Sequence, residues 1–259
     1  MDIQVVFFQV IKQLWWVVPI ILIIGALKTP KVKGMIGELF VKLSAKTQLP
    51  EDIYHPIHNV TLPTADGTTQ IDHIFVSKYG VFVVETKNMK GWIFGSVKQA
   101  SWTQQIYRVK NKFQNPLRQN YKHVKTLEAA LDIPSDAIKS IVAFNAGASI
   151  FKTSMPPNVT QGTGYIHYIK SFSDKEILNE SQVQSVIKKI QSGRLQPSRA
   201  TEKQHVKNLK SRSDPNASRA CPKCGKTMVL RTAKKGDNIG KKFWGCSGFP
   251  SCRVVQQIK

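Results

Sequence analysis

Two apolar arms, Gln70-Ile71-Asp72-His73-Ile74-Phe75-Val76-Ser77 and Val81-Phe82-Val83-Val84-Glu85-Thr86-Lys87, are joined by Lys78-Tyr79-Gly80. β-Branched and aromatic residues on both sides of a Gly-containing turn predict a β-hairpin. It carries three charges, Asp72, Glu85 and Lys87, where a buried strand should have none. Burying ions is costly unless something compensates. Glu85 and Lys87 are two apart and project from one face of their strand. Asp72 lies seven residues before Tyr79 and Thr86 lies seven after, so folding at the turn brings Asp72 beside the Glu-Thr-Lys end. A bound metal would compensate the two carboxylates.

That set suits metal-assisted phosphodiester hydrolysis. Mg²⁺ prefers one or two carboxylates and keeps several waters, one of which becomes a nucleophile. A nearby Lys orients that water and neutralises charge building on phosphorus. The plainer alternative is a surface hairpin with an ordinary Asp–Lys ion pair. Before the hairpin, Gly34–Leu43 places Ile36, Leu39, Phe40 and Leu43 in one apolar helical stripe, with Glu38 near its start and off its centre. After it come a short strand around Trp92–Gly95 and then Trp102-Thr103-Gln104-Gln105. Asn115-Pro116 opens a second helix, whose Leu117, Tyr121, Val124, Leu127 and Leu131 step by three or four. A strand follows at Ile138–Phe144.

The order is helix, three or so strands, helix, strand, an α/β pattern. It resembles the core of the restriction-endonuclease-like (PD-(D/E)XK) fold, whose signature is an Asp followed by Glu-x-Lys. Gly37-Glu38, Gln70-Ile71-Asp72-His73, Val84-Glu85-Thr86-Lys87 and Asn115-Pro116, with Trp102 and Gln104, more closely resemble the nuclease-related domain (NERD) family across about residues 32–145. The resemblance implies that Asp72 and Glu85 hold a catalytic Mg²⁺ or Mn²⁺, that Lys87 serves the attacking water, and that Glu38 supports the site. Gln104 is either a site-lining polar group or a structural strand glutamine. Related cores often act as dimers, so a homodimer is compatible.

All four cysteines lie near the C-terminus, in Cys221-Pro222-Lys223-Cys224-Gly225 and Cys246-Ser247-Gly248-Phe249-Pro250-Ser251-Cys252. Paired knuckles separated by a loop make closed, structural Cys₄ zinc sites. A disulfide pair is the alternative, disfavoured by the two-residue gap and the basic surroundings. The stretch closely resembles the zinc-finger repeat of type IA topoisomerases, which implies single-stranded DNA binding. Phe243, Trp244 and Phe249 are candidates to stack on bases, with Trp244 equally a core residue. Arg231, Lys234, Lys235, Lys241, Lys242 and Arg253 are candidates to meet phosphates. No catalytic tyrosine domain of a topoisomerase fits in the remaining length.

Charge points the same way. Thirty-eight basic against sixteen acidic residues give +22, and Arg194–Lys259 holds sixteen basic and three acidic residues. Such a field favours polyanions with salt-sensitive affinity. An acidic membrane surface competes for that role, because Ile3–Leu27 contains one charge, Lys12. In a helix those residues span about 37 Å against a hydrocarbon core of roughly 30 Å. A cleaved signal peptide is the alternative, but no positive n-region precedes the run and Gly25-Ala26-Leu27-Lys28 is a poor cleavage site. Lys28, Lys31 and Lys33 predict a single pass through the inner (cytoplasmic) membrane, with the body of the protein in the cytoplasm.

The expected organisation is an anchor at 1–28, a nuclease-related domain at 32–192 with its core at 32–145, a flexible basic linker at 193–219, and a zinc-ribbon-like finger at 220–259. Ser173 and Glu176 have capping-box spacing and predict a helix start, and a further amphipathic helix is expected at Gln182–Gln191. His55 and His58 flank Pro56 and read as loop residues, and His73 reads as packing. The whole describes a metal-dependent nuclease-like protein with a DNA-binding tail. The alternative class is a non-catalytic tethered binder that keeps the nuclease core for docking.

Overall fold

The computed structural model describes residues 13, 16–64, 67–145, 147, 149–213, 220, 221, 223–234 and 238–257. They divide into two units. One comprises the chain up to Ile53 with Val84–Arg118 and Ile141–Asp174, the other Tyr54–Val83, Gln119–Ser140 and the chain from Lys175. Helices α1 (Val17–Leu27) and α2 (Pro30–Gln48) come first, followed by strands β1 (His55–Thr64), β2 (Gly67–Ser77), β3 (Gly80–Lys87), β4 (Gly91–Phe94), β5 (Ser101–Ile106) and β6 (Val109–Gln114). Helix α3 (Pro116–Ala130) leads to β7 (Ile138–Phe144), β8 (Ser149–Phe151), β9 (Val159–Gln161) and α4 (Gly164–Lys170). Helices α5 (Glu180–Gly193) and α6 (Arg199–Ser213) precede β10 (Met228–Thr232), β11 (Lys242–Cys246) and β12 (Val255–Gln257).

The predicted hairpin is β2–β3, in a five-stranded sheet ordered β1-β2-β3-β7-β9. Its turn needs a glycine. Gly80 sits at φ 133°, and a Cβ there would lie 2.6 Å from the Ala137 carbonyl oxygen. Ile71, Ile74, Val76, Val81 and Val83 pack with Val124, Leu127 and Leu131 of α3 and Val183, Val186 and Ile190 of α5. Each such fully buried side chain contributes roughly 1.5–3 kcal/mol. The other unit has its own core of Ile93, Trp102, Val142, Phe144 and Val159. There the Trp102 and Phe144 rings stack 6.3 Å apart, and Trp102 Nε1 donates to the Ser96 carbonyl at 2.9 Å. A second sheet runs β6-β5-β4-β8 and a third β10-β11-β12.

Several expectations change. Six strands, not three or so, separate α2 from α3. Strand β1 is an edge strand containing Pro56 and Pro63, which only an edge tolerates. His55 and His58 therefore lie in a strand, and His58 Nδ1 meets His73 Nδ1 at 2.9 Å. No helix begins at Ser173. Its hydroxyl donates to the Lys170 carbonyl, Glu176 pairs with Lys78 at 2.6 Å, and the capping box is Asn179–Gln182, opening α5. Helix α6 occupies much of the expected linker, held by polar contacts that apolar periodicity does not reveal. His205 Nδ1 and Asn208 Nδ2 meet Thr68 Oγ1 at 2.9 and 3.1 Å.

The apolar stripe expected on α2 is present and faces outward. An apolar stripe ordinarily marks a helix's core face. Here Gly37, Val41, Ser44 and Ala45 are buried, whereas Met35, Ile36, Leu39, Phe40 and Leu43 are exposed. Residues 1–12, 14 and 15 of the expected membrane span, Lys12 and Trp15 among them, lie outside the described residues. Among the described residues no helix is long and apolar enough to cross a membrane.

Candidate metal centres and nucleic-acid interface

Strand β3 ends on Glu85-Thr86-Lys87, and Glu85 is 2% exposed. Lys87 Nζ donates to Glu85 Oε1 at 2.5 Å. Helix α2 brings a second carboxylate close, because Gly37 lets it approach. A Cβ at residue 37 would lie 2.7 Å from Asn88 Cβ and 3.2 Å from the Asn145 amide atoms. Asn145 donates through Nδ2 to the Gly37 carbonyl and through its backbone N–H to Lys87 O, while Asn88 Nδ2 donates to Lys33 O. These two asparagines fasten α2 to the strand ends. Sequence reasoning did not single them out; the available signal was a polar residue directly after the Glu-x-Lys and after the last apolar residue of β7.

Glu38, on the next position of α2, has its carboxyl raised above the ordinary range. Burial is the main cause; Lys42 pulls it down and the Glu85 charge pushes it up. Two carboxylates in mutual repulsion, one of them deeply buried, are a donor set that fits a hard divalent cation. Asn145 Oδ1 adds a buried oxygen without a hydrogen-bond partner among the described residues. Asp72 is half-buried on β2, between the pairs Ile71↔Val60 and His73↔His58. Alternation turns it away from the buried His73. Gln104, on β5, donates through Nε2 to the Lys90 carbonyl at 2.8 Å.

In the C-terminal sheet the four cysteines converge, all Sγ atoms lying within 4.8 Å of one another. Cys221 and Cys252 sulfurs are 3.6 Å apart, and Cys224 and Cys246 sulfurs 3.4 Å. Tetrahedral zinc with Zn–S near 2.3 Å needs sulfurs about 3.8 Å apart. All four cysteines are free, so no disulfide competes. Burial pushes the Cys221 thiol up, but backbone N–H groups of Lys223 and Cys224 and the neighbouring thiols outweigh it and bring it to about 6. Cys246 is pushed up to about 12 by burial and by the other thiols, against the Gly248 N–H. One cation ends that conflict, so the site fits structural zinc.

The sequence profile of the nuclease-related domain matches residues 33–145, and that of the topoisomerase DNA-binding C4 zinc finger matches residues 218–259. An uncharacterised protein of Bacillus anthracis is 41% identical over 188 residues, covering 70% of this chain and 85% of its own. The chain belongs to the nuclease-related-domain family. No solved structure matches it. In this NERD domain the Asn115-Pro116 motif does structural work. Asn115 is fully buried, its amide donates to the carbonyls of Ser96, Val97 and Gln99, and its Oδ1 accepts the Leu117 N–H at 2.9 Å, capping α3.

The finger sorts its aromatics by strand alternation. Trp244 is 5% exposed and packs with Met228 and three of the cysteines, so it is core and not a stacking platform. Phe243 faces the other way and lines a groove with Arg231 and Lys234. Phe249 is 59% exposed, with the Arg231 guanidinium 5.9 Å from its ring centre. Lys242 and Arg253 are exposed, and Lys241 Nζ reaches Asn238 Oδ1 at 3.0 Å. Lys235 lies outside the described residues.

Proposed function

We propose that this chain is a membrane-anchored, divalent-metal-dependent nuclease that hydrolyses DNA phosphodiester bonds and gathers its substrate with the zinc ribbon. The observation that carries the reading is Glu85: a carboxylate 2% exposed, with the Glu38 charge acting on it and an ammonium two residues along its own strand. Retaining like charges in a buried place is costly without a cation. Glu85, and Asp72 by its place in the family's motif, would hold that ion, with Glu38 in support. Mg²⁺ or Mn²⁺ bound there supplies Lewis-acid polarisation of the phosphate and a more acidic water.

Lys87 Nζ donates to Glu85 Oε1 at 2.5 Å. With Glu85 engaged elsewhere, the ammonium is available to orient water and to meet charge developing on phosphorus. The substrate class follows from charge. Residues 86–127 contain nine basic residues and no Asp or Glu. This stretch begins directly after Glu85 and contains the β5–β6 edge with Arg108, Lys110 and Lys112. A polyanion is the partner such a surface fits. The apolar run Ile3–Leu27 supports the anchor, and the lysines that follow support a cytoplasmic body.

The test incubates the full chain in detergent with labelled single- and double-stranded DNA and Mg²⁺ or Mn²⁺, beside Glu85→Gln and Lys87→Ala. Metal-dependent cleavage lost in both variants is the expected result. Binding without cleavage, unchanged in the variants, makes the chain a tethered binder and overturns the enzymatic reading.

A further inference from the structure

Met35, Ile36, Leu39, Phe40 and Leu43 are between 39% and 58% exposed and lie on one side of α2. The opposite side is already used: Gly37, Val41, Ser44 and Ala45 are buried, Tyr165 Oη bonds Ser44 Oγ and Val41 O, and Glu38 is partly buried. The stripe therefore cannot serve the core. Helical periodicity places Lys31 and Lys42 along one border and Lys33 along the other, while Lys46 closes the C-terminal end. The helix's one acid, Glu38, is off the stripe.

What precedes α2 identifies the occupant. Helix α1 is entirely apolar and buries no residue, so it too is fit for lipid. Between the two helices Thr29 takes an extended conformation at ψ 145°, with Pro30 at the first turn of α2 and Val32 N–H donating to Thr29 Oγ1. That break frees α2 from continuing the axis of α1. An apolar stripe edged by lysines, directly after a lipid-compatible segment, is the pattern of a helix lying in the headgroup layer of an acidic bilayer.

We infer that the outward face of α2 is a membrane seat, embedded at the surface of an anionic phospholipid leaflet. This rests on the anchor in the proposed function and goes beyond it. The helix carrying Glu38 is itself held against lipid, so the metal-site carboxylate is positioned at a fixed distance from the bilayer instead of on a swinging tether.

The experiment places photoreactive p-benzoylphenylalanine at Leu39 of the full chain, in nanodiscs containing phosphatidylglycerol, with the same probe at Tyr121 as a control. The seat predicts a lipid adduct at position 39 and none at 121, falling several-fold in discs of phosphatidylcholine alone. A chain-to-chain adduct assigns the stripe to a second copy and overturns the seat, as does the absence of any adduct. Alkaline extraction separates the two ideas. A chain that resists extraction yet gives no adduct loses only the seat, while one washed off after forming adducts keeps the seat and loses the span.

Discussion

Glu38 and Lys87 do opposite things to the same buried carboxylate, and each gives a measurable consequence. Because the folded pKa of Glu38 is raised, the folded state binds its proton more tightly than the unfolded chain does. The stability it contributes is full below the unfolded pKa and is lost as pH rises through the folded one. Glu38→Gln should thus stabilise the metal-free protein at neutral pH. The group is only partly buried, so after solvent screening the gain is well under about 1 kcal/mol, a Tm rise of about 1–2 °C. Thermal scans in chelator at pH 7 and pH 4 check it, with the gain gone at the lower pH. Lys87→Ala removes the ammonium from a carboxylate 2% exposed and should cost on the order of 3 kcal/mol. Mg²⁺ should then raise the Tm of the variant more than that of the unaltered protein, since a cation at Glu85 replaces the lost charge. An equal Mg²⁺ effect in both would place the ion elsewhere.

At the scale of elements, α2 and the β5–β6 edge show what a sequence discloses and what it hides. The hairpin β2–β3 was readable because β-branched and aromatic runs flank a Gly-containing turn, and helix α3 because its apolar residues step by three or four after an opening Asn-Pro. The four cysteines were readable because ligand chemistry fixes spacing. The inner face of α2 was not, since Gly37, Ser44 and Ala45 are small, and close approach leaves no hydrophobic signature. Gly37→Ala tests that approach. Its methyl would meet Asn88 and Asn145, and the forced shift should cost about 1–3 kcal/mol in denaturant unfolding. Strand β6 escaped notice because Lys110 and Lys112 make it polar, as exposed edges commonly are. Its turn places Tyr107, 93% exposed, at φ 53°, a conformation where Asn or Gly is the usual occupant. If this edge carries nucleic acid, replacing Arg108, Lys110 and Lys112 with Gln lowers the slope of log affinity against log salt by about 2–3. An unchanged slope would leave those lysines as guards against edge pairing alone.

For the whole molecule, the proposed function raises the question of how the nuclease-related domain and the zinc ribbon would divide the labour. The finger has a small core of its own, built from Met228, Trp244 and three of the four cysteines, and that core needs its ion. Metal binding energy is folding energy in such units. Cys246→Ser should unfold residues 220–257 while the cores around Ile71 and Trp102, which share no residue with it, persist. The loss removes Phe243, Phe249 and their flanking cations as an ordered surface, but the +13 of Arg194–Lys259 stays on the chain. Stacking is lost and charge is kept, so affinity for single-stranded DNA should fall about tenfold or more while its salt slope changes little. If the finger gathers substrate and the Glu85 site cuts it, cleavage in the variant shows a raised KM with kcat retained. Steady-state kinetics on the full chain decides the matter. A fall in kcat with KM unchanged would mean that the zinc ribbon shapes the reacting complex itself, and the two modules would then have to be treated as one site.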